Sequence, residues 1–292
     1  MTVWAECLGR APALARAVFL AAGLGSALLA ITPARTLAAD TSNLVSSTAF
    51  RVCADPANMP FSNEAGEGFE NRLAELFAEK LGRELQYTWF PQATGFVRNT
   101  LRVAKCDVIM GYAQGHELVL NTNHYYVSSY VLMTPADGPL AGVDRLSDPA
   151  LKGKRLGIVA GSPATSHAAR HNLVGLAKPY PLMVDRRHED PTALMIDDLA
   201  SGEIDAALAW GPIAGWYARE AAVPIRVTPL LREEGSPRLF FRITLGVRQG
   251  ELTWKRELNK IIRRNQDEID AILAEYGVPL VDEFGRAGDE IQ

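Results

Sequence analysis

Cysteine is nearly absent from this chain, with three in 292 residues, at Cys7, Cys53 and Cys106. None lies in a Cys-x-x-Cys pair or beside a histidine cluster, so the sequence carries no cysteine-based metal signature. An excess of positive charge is also missing. Lysine and arginine total 30 against 34 acidic residues, a formal charge of −4, and the arginines are scattered. A nucleic-acid-binding domain would gather a basic face instead. There is no internal repeat and no low-complexity tract. No Gly-x-Ser-x-Gly elbow, His-Glu-x-x-His helix, phosphate-binding loop or calcium-loop pattern occurs. Beyond residue 39 no apolar run is long enough to cross a membrane. What remains is 48% hydrophobic and 22% charged, which excludes a disordered, collagen-like or coiled-coil protein. The length allows one large domain or two modest ones.

The N-terminus has the layout of a secretory signal peptide. Arg10 and Arg16 precede an apolar, small-residue stretch from Ala17 through Ala30, and Thr36-Leu37-Ala38-Ala39-Asp40 offers a small-residue cleavage site. The alternative is a membrane anchor, but the run is about 14 residues and contains glycine, short for a stable span. Cleavage after Ala38 or Ala39 removes Arg10, Arg16, Arg35 and Glu6, and makes the charge two units more negative. It also removes Cys7. Export to an oxidising compartment leaves Cys53 and Cys106, which read as one structural disulfide or as two buried thiols. As a disulfide, the closed loop would stabilise the fold by about 4 kcal/mol.

From residue 50 strand and helix patterns alternate. Phe50–Ala54, Leu85–Phe90 and Asp107–Met110 read as strands. Between them, Phe69, Leu73, Leu76, Phe77 and Leu81 recur at helical spacing up to Gly82. Phe96, Val97, Thr100, Leu101 and Val103 mark a second helix. This order implies a parallel sheet in which strand one sits beside strand three, bringing Cys53 near Cys106. The pattern restarts after residue 150. Leu156–Val159, Pro181–Val184, Asp205–Trp210, Pro224–Val227 and Phe241–Val247 read as strands, with helices near His167 and over Ala193–Leu199. One long helix from Trp254 to Tyr276 closes the chain at Gly277.

Four segments carry a resemblance. Gly68-Phe69-Glu70-Asn71-Arg72-Leu73-Ala74-Glu75-Leu76 resembles the GFDVDLAKAL helix of type II periplasmic solute-binding proteins. Lys105-Cys106-Asp107-Val108-Ile109-Met110-Gly111 resembles their GKVDVIIAG, and Gly202-Glu203-Ile204-Asp205-Ala206-Ala207 their GRVDAVV. His124-Tyr125-Tyr126 stands where they carry S-x-P-Y-Y. The resemblance implies an α/β protein of two lobes, each a mostly parallel sheet flanked by helices, joined by two crossings. Lobe one would take residues 40–127 plus 238–292, and lobe two residues 128–237, after a signal peptide over 1–39. Ligands of such proteins bind in the cleft between lobes.

The amino-acid binders of this superfamily are not matched at their ligand positions. Their T-x-E-R arginine clamps a carboxylate bidentately, but the corresponding stretch, Tyr112-Ala113-Gln114-Gly115-His116-Glu117-Leu118, has no arginine. Their amine-binding aspartate is replaced by Trp210, and Asn58 stands where an aromatic packs the ligand. Only the acidic residue after strand one is kept, as Asp55. A narrower resemblance fits better. Arg51-Val52-Cys53-Ala54-Asp55-Pro56-Ala57-Asn58-Met59-Pro60-Phe61-Ser62-Asn63, Tyr87–Gln92 and Gly95–Leu101 are similar to the quinoprotein-dehydrogenase-associated solute-binding proteins of the MxaJ/XoxJ type. That implies a non-catalytic periplasmic accessory protein without a cofactor of its own. Its partner would be a methanol dehydrogenase that uses pyrroloquinoline quinone (PQQ), together with that enzyme's cytochrome c.

The candidate cleft residues are therefore Asp55, Asn58, Tyr112, Gln114, Ser162, Thr165 and Trp210. Each has a plainer reading. Asp55 and Asn58 can simply make a turn, Trp210 can pack between lobes, and Ser162 and Thr165 can cap a helix rather than hold an anion. His167 and His171 are spaced i, i+4, as metal ligands on one helix face can be, without a third ligand in view. Arg98 and Arg102 can meet an acidic partner or line a solvated face, and Asp185–Asp190 reads as a solvated loop. Two other classes stand beside the accessory reading. One is an importer's binding component for a small organic ligand; the other is an enzyme on the same scaffold using Asp55 and Glu117 as acid and base.

Overall fold

The computed structural model describes residues 44–115 and 117–286, so the segment expected to be a signal peptide, 1–39, lies outside the described residues. The first strand, β1 (Ala49–Ala54), alternates as a strand should: Phe50 and Val52 enter one core and Cys53 another. A small hairpin follows, β2 (Ala57–Asn58) with β3 (Ser62–Asn63). Helix α1 (Phe69–Leu81) buries Phe69, Leu73 and Phe77 and stops at Gly82, whose φ of 63° is a left-handed cap suited to glycine. Strand β4 (Glu84–Trp89) lies parallel to one side of β1, and β5 (Val108–Ala113) parallel to the other. This places strand one beside strand three. Cys53 and Cys106 are bonded, with Cα atoms 5.5 Å apart.

The expected second helix is broken. Only α2 (Phe96–Asn99) and a 3₁₀ turn over Leu101–Val103 form. Thr100 leaves helical geometry between them, and its hydroxyl donates to the Phe96 carbonyl at 2.6 Å. Arg98 and Arg102 thus sit on separate turns. The longest element, β6 (Leu120–Pro135), comes next. The second half follows as β7 (Leu156–Val159), α3 (Pro163–Arg170), β8 (Lys178–Tyr180), α4 (Pro191–Ser201), β9 (Ala206–Trp210), α5 (Gly211–Glu220) and β10 (Ile225–Pro229). The strand expected over 181–184 is instead loop, displaced by β8 just before it; Leu182 and Met183 are 51% and 66% exposed. The chain ends on β11 (Phe240–Val247), α6 (Leu252–Arg264) and α7 (Gln266–Glu275). The one long helix is two, because Asn265 leaves helical geometry and its side-chain amide donates to the Ile261 carbonyl at 2.7 Å.

Among the described residues nine strands make one sheet, in the order β4-β1-β5-β11-β6-β9-β7-β8, with β10 added to β6. Its ends are parallel and its middle, around β11 and β6, antiparallel. One apolar core packs α1, α6 and α7 on β1, β5 and β11. Two more cover the faces of β7 and β9. No described helix is long and apolar enough to cross a membrane.

A buried ionic knot pins the first core. The Asp107 carboxylate, 1% exposed, accepts from Arg51 Nε and Nη2 at 2.8 and 2.7 Å and from Arg248 Nη2 at 2.7 Å. It also takes the Ser46 amide at 3.1 Å, and Arg248 continues to Glu251 at 2.6 Å. The Asp107 carbonyl accepts from the Trp254 indole at 3.1 Å. Removing one partner of such a set strands the others. Asp107→Ala is expected to lower unfolding free energy by about 3–5 kcal/mol. The double change Cys53→Ala, Cys106→Ala is expected to lower it by about 4 kcal/mol. Urea unfolding curves check both values.

Candidate functional site

Strand β6 changes partners partway along. From Leu120 to Ser129 it pairs with β11; from Tyr130 to Met133 it pairs with β9. At the change, the Tyr130 amide donates to Leu239 at 2.7 Å and the Tyr130 carbonyl accepts from the Leu230 amide at 2.9 Å. Two passages of chain are thereby laced together at one tyrosine. Sheets of this class bind ligands where their strand order breaks.

A recess of about 300 Å³ opens at this point. Trp210, the last residue of β9, stands in register with Tyr130. Their rings and that of Phe241 lie 5.4, 5.7 and 6.3 Å apart, centre to centre, with planes at 60°, 75° and 69°. The three make a corner rather than a stack. Phe61 and Tyr126 line the recess as well, and no lysine or arginine does.

Glu70 also lines it. It lies in the first turn of α1, 8% exposed, and among the described residues no group hydrogen-bonds its carboxyl. Burial first, then the negative charge of Asp55, push its pKa up to about 8. Gly111 makes room for it: a Cβ there would overlap Glu70 Oε1, and the residue's φ is 66°. The Gly111 amide is already bonded to the Tyr125 hydroxyl at 2.9 Å. In the sequence Glu70 stands out only as part of the Gly68–Leu76 motif. The available signal was an acid beside Phe69 and in helical register with Ala74 and Phe77 on the buried face of α1.

Asp55 and Asn58 line a neighbouring cavity of about 450 Å³, which shares Phe61 and Gln92 with the aromatic recess. Its far wall is Leu182 to Arg187. Both polar residues are also turn-makers. Asp55 accepts from the Ala57 amide at 2.9 Å and the Gln92 amide at 2.5 Å, and Asn58 donates to the Gln92 side chain at 3.1 Å. Trp210, Asp55 and Asn58 are thus brought to adjoining spaces. Tyr112 lines a third groove with Glu117, which shares Gln92 and Ala93 with the cavity of Asp55 and Asn58. Gln114 is not brought there: it lines a separate cavity beside Asn121 and His124. His116, between Gln114 and Glu117, lies outside the described residues. Asp55 and Glu117, the acid–base suspects, line different cavities.

Ser162 and Thr165 serve the start of α3. Ser162 Oγ accepts from the Thr165 amide at 3.3 Å, and the Thr165 hydroxyl donates to the Val159 carbonyl at 2.7 Å. His167 is buried, donates Nε2–H to the Pro237 carbonyl at 2.7 Å and accepts from Arg170 at 2.6 Å. His171 approaches Glu233 at 3.2 Å. These bonds pin the 233–237 loop, and no metal-sized group of three or more His, Cys, Asp or Glu occurs among the described residues.

An acid whose pKa rises on folding holds its proton in the folded state over a pH range where the unfolded chain has lost it. Stability then falls as pH rises from the carboxyl's ordinary range to about 8, and levels off above. Glu70→Gln removes this loss. The variant is expected to match the parent near pH 4.5 and to exceed it by on the order of 3 kcal/mol at pH 7. Unfolding curves at a series of pH values check this.

No family model matches the sequence. Whole-chain relatives do. The chain is 30% identical over 250 residues to protein MoxJ of Methylorubrum extorquens, spanning 79% of this chain and 81% of that one. The crystal structure of the periplasmic binding protein XoxJ from Methylobacterium extorquens AM1 is matched over its whole length and 80% of this chain, at 44% identity and a TM-score of 0.69. The crystal structure of MxaJ from Methlophaga aminisulfidivorans MPT is matched to the same extent, at 30% identity and a TM-score of 0.69. The partner switch in β6, the recess beside it and this breadth of match agree: the chain has the two-lobed type II periplasmic binding protein fold and belongs to the MoxJ/XoxJ/MxaJ family.

Proposed function

We propose that this chain is a non-catalytic accessory protein of methanol oxidation in the periplasm. It binds a PQQ-dependent methanol dehydrogenase, in the company of that enzyme's cytochrome c, and helps assemble or activate it. The observation that carries the reading is a recess walled by aromatic rings with no lysine or arginine, in a member of this family. A free amino acid would find no clamp for its carboxylate, whereas inserted side chains of a protein partner find rings to pack on.

In this reading residues 1–39 direct export and are removed. Residues 40–127 with 238–292 form one lobe, residues 128–237 the other, and β6 is the first crossing. Trp210 with Asp55 and Asn58 forms the contact surface at the cleft. Tyr112 lines the groove that meets this surface at Gln92, Gln114 lies apart from it, and Ser162 and Thr165 hold the second lobe's first helix in place.

The test is biolayer interferometry of the purified protein against a purified PQQ-dependent methanol dehydrogenase. Binding in the micromolar range or tighter is expected, with Trp210→Ala weakening it about tenfold. Failure to bind in every metal and PQQ state of the enzyme would overturn the reading. A retained organic compound with no protein partner would assign the chain to solute uptake instead.

A further inference from the structure

The aromatic recess has three features that docking of a protein surface does not require. Its rings meet at steep angles, its one carboxyl is buried without a hydrogen-bond partner, and no cationic side chain lines it. Each narrows the occupant. A flat ring system seeks parallel faces, and the planes here are 60° to 75° apart. An anion in the recess would meet Glu70, with Asp55 behind it, while Arg186 and Arg187 line the adjoining cavity and not this one. A neutral hydrocarbon would leave the Glu70 carboxyl buried and unpaired, which costs free energy. A compact organic cation satisfies all three: aromatic rings attract it, and a carboxylate neutralises it.

The geometry points to a binding site for an alkylammonium group, held among the rings of Tyr130, Trp210 and Phe241 and neutralised by Glu70. The recess, at about 300 Å³, admits a group of that size. Charge balances on binding: the cation enters, the Glu70 proton leaves to buffer, and the pair is neutral. The groups that face Glu70 are Asp55 after β1, Tyr87 on β4, and Tyr125 and Tyr126 on β6. None is cationic, and burial lifts the three tyrosine hydroxyls above their ordinary range, so they stay neutral below pH 9.

Occupancy by a cation needs no protein partner, so the test stands apart from dehydrogenase binding. Choline, whose charge does not titrate, is compared by calorimetry and tryptophan fluorescence with its neutral carbon isostere, 3,3-dimethylbutan-1-ol. Choline is expected to bind about 30-fold more tightly than the isostere at pH 8.5. Its affinity is expected to rise about tenfold per pH unit up to about 8 and then level off, with up to one proton released per cation below that point. Glu70→Gln, a neutral variant of matching shape, is expected to lose the pH dependence and at least tenfold in affinity while remaining folded. Nα-acetyl-lysine amide distinguishes the source: tighter binding than choline assigns the group to a lysine of a partner chain, weaker binding to a free solute. Equal binding of choline and its isostere, a flat pH profile, or no choline binding by 20 mM overturns the proposal.

Discussion

The clamp on Asp107 is the contact from which the candidate site hangs. One carboxylate, at the start of β5, holds Arg51 of β1 and Arg248 just beyond β11. Its own carbonyl is tied to Trp254 in α6. Three segments distant in sequence are thus brought to one buried carboxylate. The disulfide from Cys53 to the neighbouring Cys106 fastens the same place covalently. From this end β1 runs toward Asp55 and Asn58, and β5 runs toward Gly111, against which Glu70 lies. The positions of the recess walls follow from strands fixed at their far ends.

Much of the α/β grammar was legible because it is local. Phe69 to Leu81 repeats at helical spacing and ends at Gly82, and Val52 to Ala54 and Val108 to Met110 are unbroken apolar runs. The two broken helices share a cause: a side chain that competes for the backbone leaves the apolar spacing intact. Thr100 and Asn265 each bond to the carbonyl four residues back and break a helix whose periodicity runs on. The 181–184 segment erred differently. Its apolar residues, Leu182 and Met183, are exposed along a cavity rather than paired in a sheet.

The site was only half visible. Trp210 stood out because it replaces a charged residue expected from the resemblance, and it does lie at the recess. Its companions Tyr130 and Phe241 belong to β6 and β11, and the first of these strands was not recognised as one. The segment Leu120 to Pro135 has four polar residues in a row after Leu120, has no flanking turn signal at its middle, and changes partners at Tyr130. Which rings meet there depends on pairings far apart in sequence, and nothing local records them. Ser162 and Thr165 were visible as a capping pattern, and the hydrogen bonds are those of a cap.

The two adjoining cavities differ in what they are built from. The aromatic recess takes Tyr130, Trp210 and Phe241 from three hydrogen-bonded strands. The cavity of Asp55 and Asn58 takes its far wall from the loop between β8 and α4. Rings carried on paired strands, such as Tyr130 and Trp210 in register between β6 and β9, are ordered by backbone pairing during folding, so ordering them adds little entropic cost to association. Loop-borne residues can adjust to whatever passes them. Selectivity for chemistry therefore belongs to the strand-built recess, and tolerance for size and shape to the loop-walled cavity beside it.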